Sequence, residues 1–244
     1  MSKLLLIPLV FCCSLSAQIT AVVNGASFKT AITAGAWTTA FGTFAGVTAT
    51  TAPGFPLPKT LGNVTVSVDG TDAPVYFVND SQINFLTPAS TAPGLKTLKV
   101  TTAGGSFETN IQILSAAPGL FTKSTDTPPK GAVLNQNSTE NTDSNRAVQG
   151  EVVQIYGTGP GGFNASVDDG AGPPSDPLTT TTSTPQVFIG GVEAELQFSG
   201  LAPGLPGVWQ VNAFVPTEPF ITGKVPVVVY MDGVDSNEVF IFVQ

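Results

Sequence analysis

Residues able to do chemistry are few in this chain, and most of them sit in turns. Asp69 and Asp72 flank Gly70, Asp232 and Asp235 flank Gly233, and Asp168 and Asp169 adjoin Gly170. Carboxylates gathered at turns can bind calcium, which takes about six to eight oxygen ligands. None of these stretches has the ligand density of an EF-hand loop, and Asp-Gly is also the common signal of a tight hairpin. No cofactor or metal is therefore expected, with calcium as the alternative. Glu193 and Glu195 stand two apart, which puts them on one face of a strand. Glycosidase carboxyls instead face each other across a cleft, roughly 5–9 Å apart. The pair reads as a solvated strand edge that deters edge-to-edge pairing. Glu151, beside Gly150, reads as exposed.

The chain has no histidine, and its only cysteines are Cys12 and Cys13. Both lie in a segment expected to be removed. That leaves no Ser-His-Asp triad, no cysteine nucleophile, no imidazole base and no ordinary zinc site. No catalytic residue is assigned and the chain is not read as an enzyme. For binding, the aromatic residues are the better candidates. Trp209 follows the Gly- and Pro-rich "GLAPGLPG" at 200–207. An exposed indole there, with Leu205 of the same loop, could stack on a sugar ring and donate its N–H. The plainer reading is that Trp209 caps one end of the fold. Trp37 reads as core, because the matching position of a second copy holds Val152.

Residues 1–17 resemble a leader more than a domain. Lys3 opens them, an apolar run spans 4–15, and Ser16-Ala17 supplies small residues before Gln18. This is the layout of a secretory signal peptide, and the run is shorter than the ~20 residues of a membrane span. Phe11 before Cys12 argues against a lipidated cysteine. No second run reaches spanning length, so no transmembrane anchor is expected. The whole chain carries 9 basic and 17 acidic residues, and Arg146 is its one arginine. That balance argues against nucleic acid as a partner, since phosphate binding draws on clustered Lys and Arg. "LPKTLG" at 57–62 lies mid-chain and has Leu61 where a sortase signal needs glycine. The four Asn-x-Ser/Thr sites, such as "NVT" at 63–65, matter only if the source glycosylates them.

The elements that must position these residues are written twice. "AVVNGAS" (21–27) returns as "AVLNQNS" (132–138), and "AGAWTTAFGT" (34–43) as "QGEVVQIYGT" (149–158). "VSVDGTDAPVYF" (66–77) returns as "VFIGGVEAELQF" (187–198), and "GLKTLKVTTAGG" (94–105) as "GKVPVVVYMDGV" (223–234). Between them, "SQINFLTP" (81–88) matches "WQVNAFVP" (209–216). The order is kept while the offset drifts, as loop insertions between fixed strands produce. Val64, Val66 and Val68 alternate with Thr65 and Ser67, a period-two pattern of half-buried strands. The 26 glycines and 20 prolines would break helices almost everywhere. The expected organisation is a signal peptide at 1–17, a β-sandwich at 18–122, a linker at 123–130 ("KSTDTPPK") and a second sandwich at 131–244. In the Gln-x-Asn strands, Ile83 and Phe85, like Val211 and Ala213, should face the core. Gln82, Asn84, Gln210 and Asn212 should face outward and tie neighbouring backbone groups. Pro88 and Pro216 should end the strands.

"G-x-W-x-x-x-F-G-T" (35–43) and "G-E-V-V-Q-I-Y-G-T" (150–158) resemble the opening strand of IPT/TIG-type immunoglobulin-like domains. More closely, "VVNGASF", "PLPKTLGNVTVSVDG", "SQINFLTP", "APGLF", "GEVVQIYGTG" and "WQVNAFVP" resemble a C-terminal region common in secreted acidobacterial (Solibacter-type) proteins. The resemblance implies an all-β pair of tandem immunoglobulin-like sandwiches outside the cell. It implies no activity, because that family has none to carry over. In the family the region usually ends a longer protein, whereas here it is expected to be the whole mature chain. The resulting expectation is a secreted or cell-surface structural or adhesive module, binding an extracellular protein or polysaccharide. The alternative is a carbohydrate-binding module that uses Trp209 and the 200–207 loop.

Overall fold

The computed structural model describes residues 18–244, so the leader expected at 1–17 and both cysteines lie outside the described residues. The first half of the chain forms β1 (Gln18–Asn24), β2 (Ile32–Thr33), β3 (Trp37–Thr43), β4 (Thr50–Thr51), β5 (Thr60–Leu61) and β6 (Val64–Val68). It continues with β7 (Thr71–Ala73), β8 (Val75–Val78), β9 (Gln82–Leu86), β10 (Gly94–Thr102) and β11 (Gly105–Leu114). The second half forms β12 (Gly119–Leu120), β13 (Val133–Leu134), β14 (Val152–Thr158), β15 (Gln186–Ile189) and β16 (Val192–Ala194). It ends with β17 (Leu196–Leu201), β18 (Trp209–Phe214), β19 (Gly223–Met231), β20 (Val234–Asp235) and β21 (Val239–Val243). Among the described residues there is no helix, and so none long and apolar enough to cross a membrane.

These strands make two immunoglobulin-like sandwiches. In the first, the sheet β1-β3-β9-β8-β4 faces the sheet β2-β11-β10-β6-β5. In the second, β12-β14-β18-β17 faces β16-β15-β19-β20, with β21 also on β19. Each pair of sheets closes over its own apolar cluster. The period-two pattern explains the division. Val64, Val66 and Val68 are at most 1% exposed, and so are Val227 and Val229 of the second copy. Each such side chain contributes about 1.5–3 kcal/mol on leaving water, which is how the chain holds two cores with no disulfide among its described residues.

Residues 123–130 are not strung between the sandwiches. β12 and β13 both pair with β14, on the edge away from β18, so they form one interrupted strand. The Ala132 N–H donates to Phe121 O at 2.7 Å, and the Lys123 N–H to Lys130 O at 2.8 Å. The polar, Pro-containing stretch is therefore an excursion from an edge strand. Its composition marks a loop, but composition cannot say which loop. The chain crosses from one sandwich to the other earlier, between β11 and β12.

The crossing is short and the two sandwiches are tied at a seam. The Trp37 N–H, at the start of β3, donates to Thr158 Oγ1, at the end of β14 (2.9 Å). Asn24, at the end of β1, donates from Nδ2 to Ala117 O at 2.9 Å. The Leu57 N–H donates to Gly170 O at 2.9 Å, and the Ala89 N–H to Asp169 Oδ1 at 2.8 Å. Lys29 Nζ donates to Ser236 O at 3.0 Å and lies 3.6 Å from the Asp235 carboxylate. Two glycines make this closeness possible. Gly159 (φ +77°) has Ala117 O where a Cβ would go, and Gly207 (φ +64°) has the Leu86 side chain there.

Candidate functional site

The outward side of the β3–β9 pair carries Trp37, Thr39 and Phe41 opposite Leu86, Asn84 and Gln82. Their in-strand neighbours Ala40, Ile83 and Phe85 are fully buried in the core, as the alternation requires. Asn84 Oδ1 accepts Gln82 Nε2 at 2.8 Å and Thr39 Oγ1 at 3.1 Å. The amides therefore bond each other and a neighbouring hydroxyl rather than the backbone groups expected from the sequence. Among the described residues, Asn84 Nδ2 and Gln82 Oε1 keep no partner. Phe28 stacks on Phe41 with centroids 6.5 Å apart, and Tyr76 meets Trp37 edge-on at 5.3 Å.

The second sandwich repeats the arrangement. Gln210 Nε2 donates to Asn212 Oδ1 at 2.9 Å, and Asn212 Nδ2 to Gln197 Oε1 at 3.3 Å. On β14, opposite them, lie Tyr156 and Gln154, with the Tyr156 hydroxyl donating to Gln154 Oε1 at 3.1 Å. Half-burial raises the Tyr156 pKa. Phe198 of β17 pairs with Asn212 and supplies a further ring. None of these outward side chains is charged, on a chain of formal net charge −8. Sequence reasoning missed Gln154, Tyr156, Gln197 and Phe198. The signal was present in the repeat register, which aligns Thr39 with Gln154 and Phe41 with Tyr156.

The residues expected to bind or coordinate fall elsewhere. Trp209 is fully buried, and its Nε1 donates to Ser199 Oγ at 2.9 Å, so it is no sugar platform. It belongs to the second core, with Leu120 and Val211. Leu205 is 42% exposed, at the tip of the turn between β17 and β18. Trp37 is not core: it is half-buried at the seam, and its Nε1 donates to Pro206 O of that same turn at 2.9 Å. Glu193 is exposed on β16 and accepts Gln186 Nε2 at 3.1 Å, while Glu195 lies beyond the end of that strand.

The acidic turns are built as hairpins. Asp69 (φ +46°) precedes Gly70 (φ +80°), and Asp232 (φ +50°) precedes Gly233 (φ +81°). Two successive positive φ values define the turn that suits right-twisted strands, and Asp-Gly adopts it readily. The Asp69 carboxylate accepts the Thr97 N–H at 2.8 Å and lies 3.0 Å from Lys96 Nζ. Among the described residues no three His, Cys, Asp or Glu side chains gather where they could hold a metal ion. The Thr97 N–H, and secondly Lys96, lower the Asp69 pKa below its usual 3.8. A lowered folded-state pKa contributes stability above the unfolded value that is lost as pH falls through the folded one. Wild type is therefore expected to melt slightly above Asp69→Asn at neutral pH. The gap should close below pH 3.8 in melting curves recorded against pH.

A cleft of about 680 Å³ opens between the sandwiches, lined by Gly35, Ser90, Ser115, Phe163, Asp168 and Asp169 among others. Its walls are mostly small side chains and loop backbone. Asp169 is already engaged by the Ala89 N–H, so it serves the seam rather than a ligand.

Comparison with known proteins adds a family for part of the chain. Residues 36–122 match the IPT/TIG domain family. No curated protein matches the chain. Among solved structures, it is similar to SGBP-B of the Bacteroides ovatus mixed-linkage glucan utilization locus, in complex with a mixed-linkage heptasaccharide. The identity is 11% and the TM-score 0.34, over 88% of this chain and 43% of that one. It is also similar to SGBP-B from a complex xyloglucan utilization locus of Bacteroides uniformis. Here the identity is 17% and the TM-score 0.29, over 93% of this chain and 49% of that one. The plexin A4 extracellular region gives 11% and 0.30, over 93% of this chain and 15% of that one. The chain thus spans less than half the length of each, and at these values none bears on what it binds.

Proposed function

We propose that the chain is a non-catalytic binding module, exported from the cell, that holds a neutral carbohydrate on its amide-and-aromatic faces. The observation that carries this reading is the repeated Gln-x-Asn pair, which bonds internally and leaves polar atoms open among uncharged amide, hydroxyl and aromatic neighbours. A sugar hydroxyl both donates and accepts, as an open amide N–H and an open amide oxygen require. The apolar face of a sugar ring fits against aromatic rings; Phe28 and Tyr76 are exposed, while Trp37, Phe41, Tyr156 and Phe198 are half-buried. Among the amide and aromatic side chains named, an anionic ligand would find no cation.

The reading is tested by calorimetric titration with a panel of neutral soluble polysaccharides. At least one should bind, and Asn84→Ala should weaken it by about fivefold, the worth of roughly 1 kcal/mol of net hydrogen bonding. Binding by none of the panel, or binding untouched by the combined Asn84→Ala and Asn212→Ala changes, would overturn it.

A further inference from the structure

The two amide faces are not independent patches. β3 leaves the seam from Trp37 and β14 arrives at it with Thr158, so the two strands run in the same sense, head to tail. The neighbours keep their order across the seam. Asn24 at the end of β1 meets Ala117, just before β12, and Leu86 at the end of β9 meets Gly207, just before β18. The sequence β1-β3-β9 therefore stands over β12-β14-β18, strand above strand. The hand of the backbone then fixes which way each face points. In an extended L-residue, chain direction and the side taken by N–H and C=O determine the direction of the side chain. The outward residue Trp37 has its carbonyl turned toward the β1 side, where it accepts the Gly25 N–H at 2.8 Å. The outward residue Tyr156 likewise bonds the β12–β13 edge, donating to Ala132 O and accepting from the Phe121 N–H, both at 3.0 Å. Equal direction and equal bonding side place both sets of outward side chains on the same side of the molecule.

We infer that one extended, neutral polysaccharide chain lies along both sandwiches at once, its ends held by the Gln82–Asn84 and Gln210–Asn212 pairs. This rests on the carbohydrate reading above and adds its ligand's shape. Laid head to tail, β14 and β3 offer a track of roughly 45 Å at 3.3 Å per residue. Between the two polar ends, Trp37 Nε1 donates to Pro206 O of the 202–207 turn, whose Leu205 is exposed. The seam's hydrogen bonds fix the spacing of the ends before ligand arrives, so binding does not have to order one sandwich against the other. The outward side chains named on both faces carry no charge, which suits a neutral polymer better than a polyanion or an acidic protein.

The test compares a polymer with an oligosaccharide of the same linkage too short to reach both faces. Three proteins are used: wild type, Gln82→Ala/Asn84→Ala and Gln210→Ala/Asn212→Ala, each checked for an unchanged melting curve. Linked sites raise affinity by about 10²–10⁴ at best. Wild type should bind polymer at least about tenfold tighter than oligosaccharide, and a lesion in either face should remove that gain. Equal affinity for polymer and oligosaccharide, or sensitivity to one face only, would overturn the spanning ligand and leave the carbohydrate reading standing. Failure of both ligands to bind would sink the two together. A sedimentation shift to a dimer that either face variant abolishes would assign the faces to a second copy of the chain, and would equally overturn the inference.

Discussion

Trp209→Ala is expected to destabilise the second sandwich by about 3–5 kcal/mol, the cost of truncating a fully buried large aromatic. Domain stabilities run to about 5–15 kcal/mol, so this variant should leave that sandwich marginal at physiological temperature. The indole is fully buried among Leu120, Val211 and Ala116, and its N–H is satisfied by Ser199 Oγ. Alanine would leave a cavity and take the indole donor from a buried hydroxyl. Ser199 Oγ keeps its bond from Thr181 Oγ1 at 2.9 Å, so the cavity dominates the loss. Trp209→Phe retains most of the volume and should cost about 1–2 kcal/mol. Guanidinium unfolding of the three proteins checks the order. A Trp209→Ala midpoint equal to wild type would show that the ring is not part of the core. The same substitution would weaken any ligand only through unfolding, and that separates this role from a stacking platform.

The error at Trp209 shows where sequence reading stops. Alternation and repeat order are local, and they sufficed for strands, sandwiches and the outward direction of Gln82, Asn84, Gln210 and Asn212. What fills a given end of a core is not local. In the first copy Phe44, fully buried, packs over Gly42. The aligned position of the second copy is Gly159, which must be glycine because Ala117 O occupies the space of a Cβ. The second core takes its aromatic from the neighbouring strand β18 instead, as Trp209, where the first copy has Ser81. A residue aligned with serine and preceded by a Gly-Pro turn reads as exposed, although it replaces an aromatic lost elsewhere. Trp37 shows the converse. Its aligned partner is the apolar Val152, which suggested core, yet the indole is at a junction that only the second sandwich creates. The candidate site was half legible for the same reason. Each face could be drawn from its own strands, whereas their common direction follows from contacts between residues as distant as Trp37 and Thr158.

Asn24→Ala is expected to cost about 2–4 kcal/mol, at the seam rather than in a core, because it strands several polar groups at once. The side chain is fully buried. Its Oδ1 accepts the Ala26 N–H at 2.9 Å and the Ser27 N–H at 3.0 Å, while its Nδ2 donates to Ala117 O. One amide thus closes the turn after β1 and clamps the crossing into β12. Asn24→Asp separates the two tasks, since a carboxylate still accepts from the turn but cannot donate to Ala117 O. It should spare the turn and loosen the seam. The repeat supplies the control. Asn135 stands at the aligned position, 5% exposed, and bonds Asn145 O and Asn141 Nδ2 within its own sandwich. Asn135→Ala should lower stability by a similar amount without uncoupling anything. In differential scanning calorimetry both Asn24 variants should broaden or split the unfolding transition, whereas Asn135→Ala should shift it downward with its shape unchanged. A single sharp transition in Asn24→Ala, at the wild-type temperature, would mean that the crossing is held by its other contacts alone. The preformed spacing of the two faces would then not depend on this residue.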